Sequence, residues 1–254
     1  MKRTLFFICF FMISQGLWAV PTKLIVRAKA KDAKFIGSSI GGAQVIIRNK
    51  ATGEILAQGL TQGSTGNTQL IMNTLKERGD KLSDDNTAKF MVELDLEEVV
   101  FIRVEVLAPA SKKQATVFAS TELWMIPGKH ILGDGVVLEI PGFIVDVLKP
   151  RTHQFISLKA LKEGILQVQA NVVMMCGCTI SDGGIWDANK YEVRGVLKKE
   201  GEDLGEINMK LVSPNLFEGE AEVSATGNYE LVVYAYHAAT GNTGVDKVNY
   251  VVRE

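Results

Sequence analysis

Cysteine is scarce: the 254-residue chain holds three, at positions 9, 176 and 178. Cys9 lies in an N-terminal apolar run, and one glycine separates the other two, so no cysteine pair can staple distant loops as in most exported proteins. The fold must therefore stand on hydrophobic cores. Histidine is also sparse, with His130, His153 and His237 far apart in sequence, and structural zinc wants four ligands. Neither charge sign dominates, with 28 basic and 29 acidic residues. Nucleic-acid binding, which needs a concentrated basic face, is not expected. Beyond the N-terminus no apolar run approaches the roughly 20 residues of a membrane helix. No serine sits in a nucleophile elbow, and no glycine-rich loop follows a strand to open a helix. No catalytic residues and no required cofactor are expected.

The N-terminus carries a different pattern. Lys2 and Arg3 precede an apolar run from Leu5 to Ile13, Ser14-Gln15-Gly16 breaks it, and Leu17-Trp18-Ala19 places a small residue before a cut. This charged, apolar, small-residue order is that of a secretory signal, expected over residues 1–19. An uncleaved anchor is the alternative. Cleavage leaves 235 residues carrying three net negative charges, destined for the periplasm or secretion.

The remaining chain alternates apolar and polar residues in short runs. Candidate strands cover 24–29, 43–48, 54–60, 90–94, 99–107, 115–123, 136–140 and 143–148, then 165–173, 191–197, 204–211, 219–223, 229–236 and 245–252. Turn signals such as Asn49 to Gly53, Pro127-Gly128, Gly133-Asp134-Gly135 and Pro141-Gly142 separate them. Many short strands at this spacing predict β-sandwiches. The expected division is a sandwich over 20–149, a linker over 150–164 and a second sandwich over 165–254. The polar stretch 74–86 reads as a solvated loop or one helical turn. A metal-binding loop through Asp80, Asp84 and Asp85 is the alternative, although their spacing departs from the regular calcium loop. His130 with Asp134 is a second candidate pair, read first as two turns.

Two stretches resemble known modules. Gly227-Asn228-Tyr229 with the strand to His237, Gly241-Asn242 and the strand Val245 to Val252 resembles the last two strands of bacterial immunoglobulin-like modules. Ala43 to Thr61 resembles the opening of carboxypeptidase-regulatory-like sandwiches. The resemblance implies an all-β fold of two tandem, immunoglobulin-like β-sandwich domains, and it brings no catalytic residues.

One segment has chemical character. Met174 to Asp187 gathers two thioethers, two thiols, two carboxylates and an indole. In an extended strand Met174, Cys176 and Cys178 share one face, with the cysteine α-carbons about 6.5 to 7 Å apart, at the limit for a disulfide. Gly177 permits a bend that brings the sulfurs together. Three outcomes stay open: a local Cys176–Cys178 disulfide or core packing, a soft site for copper(I) formed by Met174, Cys176 and Cys178, and thiol redox chemistry. The last lacks the helix N-terminus that lowers a thiol pKa in the usual oxidoreductases. Asp182, Trp186 and Asp187 form a candidate binding loop, with Trp186 as anchor or ligand shelf.

The expected function is that of a non-enzymatic binding or accessory protein of the periplasm or cell envelope. It would contact an envelope protein or other macromolecular partner through loops and sandwich edges. The alternative is a copper(I)-binding or thiol–disulfide protein, thiol redox being the main enzymatic option.

Overall fold

The computed structural model describes residues 18–254, so nearly all of the expected signal, 1–19, lies outside the described residues. From Val20 onward the chain is all β, and the alternating runs become strands as expected. The first seven are β1 (Val20–Ala30), β2 (Gln44–Asn49), β3 (Ile55–Leu60), β4 (Phe90–Leu96), β5 (Val100–Ala108), β6 (Val117–Met125) and β7 (Ile131–Ile140). They form two facing sheets, β4-β1-β7 and β3-β2-β5-β6. Every pairing is antiparallel except β1 with β7. Val45, Ile47, Ile102, Val104 and Val106 from one sheet meet Leu24, Val26, Ala28, Leu138 and Ile140 from the other, all buried. The period-two pattern thus places one face of each strand in a common core.

β1 departs from strict alternation, because Leu24 through Ala28 are all buried. The long excursion between β3 and β4 covers its outer face. Arg27, 2% exposed, donates from Nη1 to the carbonyls of Thr87 and Ala88, at 2.5 and 2.9 Å, and from Nη2 to Gly133. Burial lowers the Arg27 pKa, against the opposing pull of Asp134, Asp84 and Asp85. The acidic stretch therefore supplies counter-charge to a buried arginine. Among the described residues no group of three His, Cys, Asp or Glu side chains gathers to hold a metal. Asp134 accepts from the amides of Leu82 and Ser83 and from the Ser83 hydroxyl, tying the same loop down. His130 has another task, accepting the Lys23 amide on Nδ1 at 3.1 Å. His130 and Asp134 thus have separate structural partners.

The second set is β8 (Phe143–Lys149), β9 (Phe155–Ser157), β10 (Ile165–Met174), β11 (Ile180–Ser181), β12 (Trp186–Asp187), β13 (Glu192–Lys199), β14 (Glu202–Asn208), β15 (Lys210–Ser213), β16 (Leu216–Glu222), β17 (Gly227–His237) and β18 (Asn242–Arg253). The main sheets are β15-β16-β10-β8 and β14-β13-β17-β18-β9, with β11-β12 a small parallel ribbon. Strand pairing differs here from the expected division. Phe143 to Leu148, expected to close the first sandwich, pairs instead with β10, Val145 facing Val172. The stretch 150–164, expected as a linker, contains β9, which adds in parallel beside β18. The chain crosses at Pro141-Gly142. Gly142 has φ +118°, and a β-carbon there would lie 2.7 Å from the Thr243 carbonyl, so only glycine fits. The single expected strand 204–211 also splits. β14 pairs with β13 and β15 with β16, so the chain changes sheets at buried Met209.

At the start of β17 the Tyr229 hydroxyl donates to the Ala225 carbonyl at 2.8 Å. A tyrosine reaching back to upstream backbone at this position is the tyrosine corner of immunoglobulin-like sandwiches. The Tyr229 ring stacks on Tyr250 at 5.4 Å. The buried Tyr250 hydroxyl has no hydrogen-bond partner among the described residues.

Tyr229→Phe should cost about 1 kcal/mol in denaturant unfolding, while Tyr250→Phe should be neutral or stabilising by up to about 1 kcal/mol, since it removes an unpaired buried hydroxyl. Desolvation alone would raise the Asp134 pKa, but the Ser83 hydroxyl, the two amides and Arg27 together hold it below the ordinary range. A depressed carboxylate contributes above its unfolded value and loses the contribution as pH falls through its folded one. Stability followed against pH should therefore drop below about pH 4, and Asp134→Asn should flatten that drop.

Candidate functional site

The sulfur-bearing segment lies where the two sandwiches meet. β10 ends at Met174, and the chain reverses at once: the Gly177 amide donates to the Met174 carbonyl at 2.7 Å, and the Met174 amide to the Cys178 carbonyl at 3.2 Å. Gly177 sits at φ +75°, a conformation that L side chains rarely adopt. The reversal draws the cysteine α-carbons to 5.3 Å, and Cys176 and Cys178 form a disulfide. The extended-strand geometry expected for Met174, Cys176 and Cys178 is not what forms, because the turn overrides alternation. Met174, Met175 and Cys176 are essentially inaccessible and Cys178 is 8% exposed. The tip of this turn packs on the first sandwich: a β-carbon at Gly177 would meet Ile40 at 3.5 Å.

Polar bonds across the junction surround this contact. The Trp186 indole N–H donates to the Asp32 carbonyl at 2.9 Å, and the ring is 7% exposed. Trp186 therefore anchors the loop to the first sandwich and presents no open shelf. Asn242, fully buried, accepts the Gly142 amide on Oδ1 at 2.9 Å and donates from Nδ2 to the Lys31 carbonyl at 3.1 Å. Tyr191 packs edge-on against both Phe143 and His237. Its pKa is pushed up to about 12, first by burial and then by the charges of Asp32 and Asp187. His237 hydrogen-bonds Thr240 at 3.0 Å and lies 3.9 Å from Asp32. Toward the rim, Lys112 and Gln114 both reach Asp146, at 2.9 Å.

The carboxylates of the loop hold its shape. Asp187 Oδ1 accepts from the amides of Asn189 and Gly183 and from the Asn189 side chain. These bonds, the Asn189 amide foremost, keep its pKa below the usual carboxylate range. Asp182 accepts from the Asn189 side chain at 2.6 Å. Asn215, at φ +68°, takes the Ile180 amide on its side chain and bonds Val172 and Ile180 through its backbone. Asn215, Asn242, Asp32 and Tyr191 escaped sequence reasoning. The one signal for the asparagines was their place in turns, Gly241-Asn242 and Pro214-Asn215.

Beside the junction an open groove runs along the second sandwich. One part, about 440 Å³, is lined by Asn189, Lys190, Tyr191, Glu192, Arg194 and Tyr236. An adjoining part, about 470 Å³, shares Asn189, Tyr191 and Met209 and adds Asp182. The groove forms where β14 leaves one sheet and β15 enters the other. Of the three expected loop residues, Asp182 alone lines it.

No family model matches the chain, and no curated protein matches it. Solved structures that resemble it include an engineered protein and two structures of β-sandwich modules. The engineered protein, crystallised at 1.98 Å, shows 12% identity and a TM-score of 0.33 over 48% of this chain, which spans only 22% of that protein's length. The fibronectin(III)-like modules of Clostridium thermocellum CbhA show 13% identity and a TM-score of 0.29, covering 92% of this chain and 94% of theirs. The titin domains z1z2 in complex with telethonin show 9% identity and a TM-score of 0.26, covering 92% and 95%. At such scores these likenesses carry no argument about what the chain does. Its class, an all-β protein of immunoglobulin-like sandwiches, stands on its own strand pairing and tyrosine corner.

A disulfide sulfur is not a thiolate, so a Met174, Cys176, Cys178 copper(I) site requires the pair to be reduced first. Thiol titration of the folded chain from Val20 onward should return no free thiol, and two after unfolding and reduction. With the disulfide intact, copper(I) should bind equally little to wild type and to Cys176→Ser/Cys178→Ser; a clear wild-type excess in the folded protein would establish the soft-metal site.

Proposed function

We propose that this is an exported, non-enzymatic binding or accessory protein of the periplasm or cell envelope. Its two sandwiches act as a platform that presents a groove and sheet edges to a macromolecular partner, an envelope protein in the first instance. The observation carrying this reading is the groove beside the junction, which opens on a rigidly bonded base. Its floor residues Met209 and Tyr191 are apolar or aromatic, and its rim alternates Lys190, Glu192, Arg194 and Asn189. A concave, mixed surface on a rigid scaffold suits recognition of another macromolecule. The reactive groups of the neighbouring segment support the same reading. The sulfurs of Cys176 and Cys178 bond each other, Trp186 bonds Asp32, and Asp187 caps its own turn.

Tyr236, 38% exposed, and Lys190 are the two groove residues whose change should disturb the surface without disturbing the core. Capture from envelope extract on immobilised mature protein should be about tenfold weaker for Tyr236→Ser/Lys190→Glu than for wild type, the loss expected when an interface anchor is removed. Circular dichroism and melting temperature should be unchanged. Equal capture by both proteins would remove the groove from the contact.

A further inference from the structure

Sheet edges expose unpaired backbone, and folded proteins usually blunt them with bulges, proline, lysine or brevity. Most edges here are blunted. The β2–β3, β1–β7, β8–β10, β13–β14 and β15–β16 pairings each carry a register shift. β9 is three residues long. β4 pairs without interruption but sets Glu93 and Asp95 along its length. β6 has none of these devices. All nine residues pair with β5 in one unbroken register, from Val117 opposite Ala108 to Met125 opposite Val100. The strand contains no proline, glycine or lysine. Among the described residues its backbone bonds only to β5.

The side chains of β6 sharpen the case. Phe118, Ser120, Glu122 and Trp124 face outward, with Phe118 57% and Trp124 61% exposed. Glu122 is the strand's one charge, and Lys50 and Arg103 of the same chain compensate it, at 2.5 and 2.8 Å. We propose that β6 pairs antiparallel with β6 of a second copy about a two-fold axis at Thr121, joining the two four-stranded sheets into one continuous sheet. Sequence symmetry selects this register. Centred on Thr121, Phe118 lies opposite Trp124 of the second copy, Ala119 opposite Leu123, and Ser120 opposite Glu122. Aromatic pairs then sit at both ends of the ladder, and no like charges face each other. Centring on Glu122 sets two carboxylates opposite each other, and centring on Ser120 sets Phe118 against Glu122. A one-residue slip turns the aromatic face inward. The groove reading is independent, since the groove lies on the other sandwich.

The test is sedimentation equilibrium of the mature chain across a concentration series. Wild type should self-associate to a dimer. Ser120→Glu puts Glu opposite Glu122 of the second copy twice per dimer and should weaken association about tenfold, whereas Ser120→Lys makes two opposite-charge pairs and should preserve or tighten it. Position 120 is exposed, so at dilutions where the chain is monomeric neither change should alter the melting temperature. Trp124→Lys should abolish the dimer. A wild type that stays monomeric to about 100 μM, the range of a weak complex, overturns the proposal, whatever else the edge captures. So does a dimer equally indifferent to Ser120→Glu and Trp124→Lys.

Discussion

The buried side chain of Asn242 is the contact on which the rest of the arrangement depends. The chain passes from one sandwich to the other at Pro141-Gly142, with no linker to absorb mismatch. Such a crossing leaves backbone groups of both units away from water, and each must find a partner. Asn242 satisfies one from each side, the Gly142 amide and the Lys31 carbonyl. Its two amide functions make a single donor–acceptor bridge that an aspartate or a leucine could not reproduce. Because it opens β18, opposite His237 of β17, it also ties that strand pair to the turn that follows β1.

Around that bridge the junction behaves as a miniature core with polar stitching. Hydrophobic burial is continuous from Ala30, Ala33 and Ile36 to Met174, Cys176, Ile180 and Trp186. The Cys176–Cys178 bond closes a very short loop, so it restrains little of the unfolded chain. Its effect is local. It fixes a turn already imposed by Gly177, and that turn seats against Ile40. Packing and disulfide thus serve one end, the seating of the second sandwich against the first.

Strand content and strand positions were legible because half-buried strands impose a period of two, which the order of apolar and polar residues displays directly. The hairpin from Gln44 to Leu60 and the entry to β17 announced themselves through turn residues and a Gly-x-Tyr pattern. The assignment of β8 and the division at 150–164 did not, since alternation says that a strand is half buried and not which neighbour buries it. Phe143 to Leu148 reads the same beside either sandwich. The split at Met209 was hidden for a like reason: a strand that changes sheets keeps its apolar count. In the site, the flexing power of Gly177 was readable, while the partners of Trp186 and Asp182 were not.

Residue order alone determined that the chain is built from β-strands, that Cys176 and Cys178 could close only a local bridge, and that the chemically dense stretch could bend at a glycine. Those properties are local, set by side-chain alternation, cysteine spacing and backbone freedom at single positions. Only the folded arrangement decided where one sandwich ends, which buried asparagine joins the two, and that the indole of Trp186 faces a carbonyl 154 residues away. Contacts of that separation depend on how completed sheets pack, and no short-range pattern encodes them.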